Sequence, residues 1–528
     1  MSIPFNIEIR PPRWSLVTGG ALIAILTALN VYRAATQSIT HDEALTYTWN
    51  FVGELDTVLF PTANNHILHT LLARLSLRVA GHSELALRLP AVAGGLLCMT
   101  AVYAIGALAC RSGWSFLLLL GLATLNPQFL DYCCAARGYG LATGFMLWSI
   151  AGILLALRFE KNSNVRHIWL AVSLCLGLSL ASNLSLLLVN VAIAVLFCVL
   201  VLVRSEEARW RKVPLLFTHF ALPGPFVAAA LWWPILLKLG KEHFYVGWKT
   251  WTEGAIDYIS AALFHQHAGV CSIPAHLLTP LQILGEHSTE ATTVSILARF
   301  VAPITVAALG LTALVLLARL FWKREQPVSQ GSTALLLSAG SLSAALIGFV
   351  VLHRSHGMLF PPERAAVFVG PLLAIASVLA FEELTAAMPR LRWLAIPAGA
   401  VALSVLALFV ANLNVNHFRT WRYDAGVRGF LSRLREFEKP GGELLIGGSW
   451  VHAPTINCYR EITVYRGHRQ WFRAAERYAD LAGCDALFIH PDDGFSLNPA
   501  EWTHIATHEI SGSQLFVRNL QPIKGEGK

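Results

Sequence analysis

Residues 184–203 read LSLLLVNVAIAVLFCVLVLV, twenty positions without one charged side chain. At 1.5 Å per residue a helix of this length reaches about 30 Å, the thickness of a bilayer's hydrocarbon core. A helix on the surface of a soluble protein needs a polar outer face, and this run has none to offer. Arg204 follows it directly, so the run reads as a membrane span that ends at a basic loop.

Ten further apolar runs lie outward from it, at 14–32, 84–109, 115–131, 138–157, 167–182, 213–237, 296–318, 332–352, 365–381 and 393–411. Together they predict a polytopic α-helical membrane protein of about 11 transmembrane helices. Composition agrees, since 55% of the 528 residues are hydrophobic and 14% are charged, whereas soluble domains carry roughly 25%. A soluble enzyme is excluded. The net charge of +8 follows from cytoplasmic loops that collect Lys and Arg, and it indicates no nucleic-acid partner.

Those bases also set the orientation. Arg10, Arg13, Arg111, Arg158, Arg204, Arg319 and Arg390 fall on one set of loops, which places the N-terminus in the cytoplasm. The short loops of the other set hold just Arg137, Arg354 and Arg364, three bases that work against the topology signal. The first run is longer than a signal-peptide core and is read as an uncleaved anchor. The expected setting is a bacterial inner (plasma) membrane, among membrane lipids, with the C-terminus on the periplasmic or extracellular side.

Residues 1–411 are expected to form the transmembrane domain, with outer loops at 33–83 and 240–295. Leu68, Leu71, Leu72 and Leu75 make one apolar stripe, predicting a juxtamembrane helix at the interface. Trp248, Trp251, Tyr245 and Tyr258 suit a second such helix. Residues 412–528 form a small α/β domain, with strands predicted at 444–446, 462–465, 486–489 and 514–517 and a helix near 470–482. Of the nine cysteines, Cys458 and Cys484 stand in this domain, as a disulfide or as two buried thiols.

The strongest chemical signal is Thr40-His41-Asp42-Glu43-Ala44, a few residues after the first span. Adjacent acids at a helix start can be no more than favourable partners of the helix dipole. Here the next outer segments read Asn64-Asn65-His66-Ile67-Leu68-His69 and Gly81-His82-Ser83-Glu84-Leu85-Ala86-Leu87-Arg88-Leu89-Pro90, and Ala136-Arg137-Gly138-Tyr139 follows the third span.

These stretches resemble the polyprenyl-phosphate-sugar-dependent glycosyltransferases of the membrane-embedded C superfamily, which includes protein O-mannosyltransferases and the aminoarabinose transferase of lipid A. The resemblance covers roughly residues 14–160 well and 350–375 loosely. It implies an inverting transfer of a sugar from a polyprenyl-phosphate donor to an acceptor, which is protein, glycan or lipid, at the outer face of the membrane. It puts the catalytic base on the first acid, Asp42, with Glu43 in support. Many relatives carry a glutamate just ahead of the arginine pattern, where this chain has Ala135 and Ala136.

The residue types fit that chemistry independently. One carboxylate suffices to take the acceptor's proton, because the leaving group is already a phosphate and needs no second acid. A phosphate asks for guanidinium, whose planar fork holds two oxygens, and this points to Arg137 and Arg364. Arg354 is a weaker partner, since Glu363 can pair with either base of that loop. Asn65, His66 and Tyr139 complete the expected substrate-binding set, though Tyr139 also suits an interfacial tyrosine belt. A divalent metal on Asp42, Glu43 and His66 is a further reading, without any recognised zinc spacing behind it.

A transporter or flippase of lipid-linked sugars is the alternative function, and a noncatalytic scaffold a third. Transporters place ionisable residues at the membrane midplane and use repeated halves. The candidate residues here lie at the outer boundary, and no repeat is visible.

Overall fold

The computed structural model describes residues 11–50, 65–159, 164–204, 209–237, 247–263, 294–322, 329–438, 442–474, 483–494 and 496–519. Its helices begin with α1 (Arg13–Thr36), α2 (His41–Asn50), α3 (Ile67–Ala80), α4 (Glu84–Ala109), α5 (Gly113–Thr124) and α6 (Pro127–Tyr132). Then come α7 (Tyr139–Arg158), α8 (Val165–Ser182), α9 (Leu187–Arg204), α10 (Arg209–Leu216), α11 (Pro223–Leu236) and α12 (Trp251–Leu263). The last six are α13 (Ala302–Trp322), α14 (Gln330–His356), α15 (Val369–Ala387), α16 (Ala395–Ala411), α17 (Val427–Leu434) and α18 (Ala453–Tyr465).

Among the described residues, ten segments are long and apolar enough to cross a membrane. They take up ten of the eleven predicted runs. The run at 115–131 differs: α5 has 12 residues, a rise of about 18 Å and short of the hydrocarbon thickness. The break comes at Asn126-Pro127. A residue before proline is pushed out of the helical region, and Asn126 Oδ1 then caps α6 by accepting from the backbone N–H of Gln128 at 2.9 Å.

The chain divides into two compact units: Met1–Asn30, Pro61–His69 and Pro90–Leu413 form the first, and Val31–Phe60, Thr70–Leu89 and Asn414–Lys528 the second. In the first, small residues let helices approach. A methyl at Gly94 of α4 would overlap the backbone of Leu141 in α7, the close packing that replaces a hydrophobic drive inside lipid. Ser179 Oγ of α8 donates to the Ala142 carbonyl of α7 at 2.8 Å and accepts from Asn190 Nδ2 of α9 at 2.9 Å. Outward faces are apolar: Ile304, Leu311 and Leu314 on α13 and Ile396, Val401 and Leu403 on α16 are all exposed, as suits lipid.

Helix α3 buries Ile67, Thr70, Ala73 and Leu77 and leaves Leu71, Leu75 and Val79 exposed. The leucine stripe read from the sequence thus faces outward, as an interfacial helix requires. Of the 240–295 loop, Trp248, Trp251 and Tyr258 are described, whereas Tyr245 lies outside the described residues.

The second unit contains a five-stranded sheet in the order β2-β1-β3-β5-β4, with β1 Leu444–Gly448, β2 Phe472–Ala474, β3 Ala486–Ile489, β4 Trp502–Thr507 and β5 Gln514–Arg518. Strand β1 pairs parallel with β2 and β3, while β5 runs antiparallel to β3 and β4. Ala486 and Phe488 of β3 point into one core with Phe430, Leu434 and Ile456, whereas Leu487 and Ile489 point into another with Trp502. Both faces are covered, so β3 is apolar throughout.

Three of the four predicted strands appear. The fourth, 462–465, lies in α18 instead, because Thr455, Ile456, Cys458 and Ile462 are buried at helical spacing and that period overrides β-branched propensity. The helix expected near 470–482 begins as β2, and 475–482 lie outside the described residues. Cys458 and Cys484 are both buried free thiols.

Candidate functional site

In the second unit the two adjacent acids meet different fates. Thr40 and Glu43 close the first turn of α2 reciprocally: the Thr40 N–H donates to Glu43 Oε2 at 2.8 Å and the Glu43 N–H to Thr40 Oγ1 at 3.3 Å. Glu43 then receives both arms of Arg88, Nε on Oε1 at 2.8 Å and Nη2 on Oε2 at 2.7 Å. Arg88 also donates to the carbonyls of Ala34, Gln37 and Ser38 and stacks on Phe418, with its carbon Cζ 5.0 Å from the ring centre. All of its charge is thereby met inside the protein, as a buried ion requires.

Along the sequence Arg88 stands only as one residue of the Gly81–Pro90 stretch. The signal was available: an arginine at the mouth of an apolar span implies a partner.

Asp42 stays half-buried on the same turn. Its predecessor is held on both sides. The His41 N–H donates to Asp424 Oδ2 at 2.6 Å, and His41 Nδ1 donates to the Val451 carbonyl at 2.9 Å. Asp424 also accepts from Thr455 Oγ1 at 2.9 Å. Burial pushes the Asp424 carboxyl well above the usual range, against these two hydrogen bonds, and the charges of Asp42 and Glu43 push the same way.

The first unit holds His66, Arg137 and Arg364. His66 is fully enclosed, its Nδ1–H donating to the Ser182 carbonyl at 2.9 Å, so Nε2 carries the lone pair. Burial holds its pKa well below the ordinary imidazole value, followed by the positive charge of Arg137. Ser182 opposes, and His69 and Arg364 add to the lowering. Both arginines singled out in the sequence therefore bear on one neutral histidine. Arg137 is itself buried. The next residue must be glycine, because a methyl at Gly138 would overlap the Ser182 carbonyl and crowd His66.

Tyr139 is buried at 4% exposure, its ring 4.7 Å from that of His66 and 5.0 Å from that of Tyr132. It belongs to this cluster and not to a lipid-facing belt. Asn65 is buried as well.

Arg364 and Arg354 separate. Arg364 is half-buried in the turn Glu363–Ala366, while Arg354 is exposed at the end of α14. Glu363 has further partners, and the charge of Arg364 acts on it as well. It accepts from Tyr132 O–H at 2.7 Å and donates its backbone N–H to Asp257 Oδ2 at 2.9 Å, and Trp248 Nε1–H donates to the same oxygen at 2.8 Å. Burial and the neighbouring Asp257 push the Glu363 carboxyl upward. Pro361 and Ala366, on either side of Arg364, line an apolar cavity of about 280 Å³ shared with Trp251, Tyr258, Leu309 and Leu342.

Among the described residues, no group of three or more His, Cys, Asp or Glu is arranged to hold a metal ion. The metal reading of Asp42, Glu43 and His66 loses Glu43 to Arg88.

No known family's sequence pattern matches the chain, and no curated sequence does. Three solved structures are similar in architecture. ArnT from Cupriavidus metallidurans bound to undecaprenyl phosphate is 13% identical, with 95% of this chain and 97% of that one covered and a TM-score of 0.43. The Archaeoglobus fulgidus oligosaccharyltransferase with Zn and sulfate is 14% identical over 84% of this chain and 61% of its own, at 0.43. The arabinofuranosyltransferase AftD from Mycobacteria is 13% identical over 97% of this chain and 40% of its own, at 0.42. Likenesses this distant do not assign a site or a substrate, and the functional reading rests on the chain's own residues.

Proposed function

We propose that this protein is an inverting glycosyltransferase that moves a hexosyl or pentosyl group from a polyprenyl-phosphate donor to an acceptor at the outer face of the membrane. One observation carries the reading: Pro361 and Ala366, which flank Arg364 along the chain, line an apolar cavity, and the charges of Arg364 and Arg137 both bear on His66. A lipid phosphate asks for that combination, with an apolar slot for its first isoprene units and guanidinium for its oxygens.

In the proposed reaction Asp42 takes the proton of an acceptor hydroxyl. The freed oxygen bonds to the anomeric carbon while the bond from that carbon to the phosphate oxygen breaks. The polyprenyl phosphate leaves with the electron pair, its charge met by Arg137 and Arg364. His66, through its bond to the Ser182 carbonyl, supports the segment that carries Arg137 and Tyr139, and Glu43, neutralised by Arg88, holds the turn that carries Asp42.

The deciding experiment is Asp42→Asn in purified, folded protein. The variant keeps the shape and loses the proton acceptor, so donor binding should be normal and turnover at least about 100-fold slower. Near-normal turnover would place the base elsewhere.

A further inference from the structure

The sheet of the second unit has a topological switch point. From β1 the chain passes through α18 to β2 on one side, then returns to β3 on the other, and all three strands are parallel. In open α/β sheets ligands bind in the crevice at the carboxyl ends of the two strands that flank such a reversal. Here those ends lead into residues 449–452 after β1 and 490–494 after β3.

Both segments carry rings and polar groups instead of inert turn residues. Trp450 is 61% exposed, an unusual cost for the largest apolar side chain. Its ring stands edge-on to His41 with centroids 5.8 Å apart. Tyr423 lies 6.4 Å from His41 and 6.3 Å from His490, and His452 lies 6.0 Å from His490. Ser449 Oγ donates to Asp493 Oδ1 at 3.0 Å, tying the two segments together across the reversal. His41, the residue before Asp42, is fastened to this crevice through its bond to the Val451 carbonyl.

Resting on the glycosyltransferase reading, we propose that this crevice is the acceptor subsite and that the acceptor is a saccharide. A sugar ring offers flat C–H faces to an exposed indole and hydroxyls to imidazole and carboxylate, which matches this set of residues. An extended peptide would instead seek an unpaired strand edge, and the edges of this sheet are β2 and β4. An acyl chain would seek an apolar groove without imidazoles or acids. A sugar held on the Trp450 and His41 rings lies beside the first turn of α2, the turn that also carries Asp42.

The test is saturation-transfer NMR on the full chain in lipid nanodiscs. The probes are methyl α-glucoside, methyl α-mannoside and N-acetylglucosamine, with a capped Asn-Ala-Thr tripeptide and undecaprenyl phosphate as separate arms. At least one saccharide should receive saturation. Trp450→Ala should weaken that binding about two- to tenfold, Trp450→Phe should retain most of it, and lipid-phosphate binding should be unchanged in both. No saccharide signal, a signal from the tripeptide alone, or a saccharide signal indifferent to Trp450→Ala would each overturn the proposal. The lipid-phosphate arm separates the two ideas, since its failure in the parent protein counts against the donor reading, whatever the saccharides do.

Discussion

Arg88 grips both carboxylate oxygens of Glu43 with neither side chain exposed to solvent. The pair sets the first turn of α2, and its worth lies in what happens when it is broken. Removing one partner of a buried pair leaves the other charge without compensation, at a cost of about 3–5 kcal/mol. Arg88→Ala should therefore lower the melting temperature of the purified protein by several degrees or prevent its accumulation, and Glu43→Gln, which keeps a hydrogen-bonding side chain, should do less harm. An Arg88→Ala protein that melts like the parent would show that the pair is not structural.

Acidification should destabilise the second unit through His452. Burial lowers its pKa to about 4, with His490 adding to the effect, while the hydrogen bond to the Tyr423 carbonyl, the Phe488 carbonyl nearby and the charge of Asp493 oppose it. The folded state thus binds fewer protons than the unfolded state between about pH 6.5 and 4, so this contribution is whole above that window and is lost as the pH falls through it. The loss is about 3 kcal/mol at most. Melting curves at pH 7 and pH 5 should show a drop that is smaller in His452→Gln, and equal drops in both proteins would contradict the assignment.

The arginines should matter by shape as well as by charge. Arg137→Lys and Arg364→Lys keep a cation and lose the two-pronged grip, so each should weaken undecaprenyl-phosphate binding by about fivefold or more. Arg354→Lys, exposed at the end of α14, should have little effect. Titration of the lipid into nanodisc protein reads this directly. Unchanged affinity in Arg137→Ala would remove Arg137 from the phosphate site.

Topology is open to reporters. Fusions after residues 110, 204 and 528 should read inside, inside and outside, which requires that the short α5 together with α6 cross the bilayer. A cytoplasmic reporter at the C-terminus would sink that orientation.

The spans were legible because the chain withholds charge over twenty residues at a time, and lipid leaves few other solutions. The break at Asn126-Pro127 was readable too, as a cap followed by a proline, but the apolar count alone ran through it. Strand 462–465 was misread because Ile462 and Val464 favour strands locally, whereas the burial of Thr455, Cys458 and Ile462 on one helical face is a tertiary fact. Asp42 and Glu43 stood out as a pair, yet their division of labour depends on Arg88, 45 positions away from Glu43. Which arginine meets which acid is set by packing that no spacing encodes. His66 was visible as a polar residue in an outer segment, but its neutrality comes from enclosure and from Arg137 and Arg364.

The second unit gathers residues near the start of the chain with its last hundred or so, and this fixes an order in time. The bond from His41 to Val451 spans 410 positions. At about 5–20 residues per second of synthesis, the turn bearing Asp42 waits tens of seconds before Asp424, Val451 and Thr455 emerge to fasten it. A chain cut short before residue 424 would insert its spans yet leave that turn unfastened. The turn that carries Asp42 is thus made long before the residues that fasten it, so its fastening reports that the sheet domain has emerged.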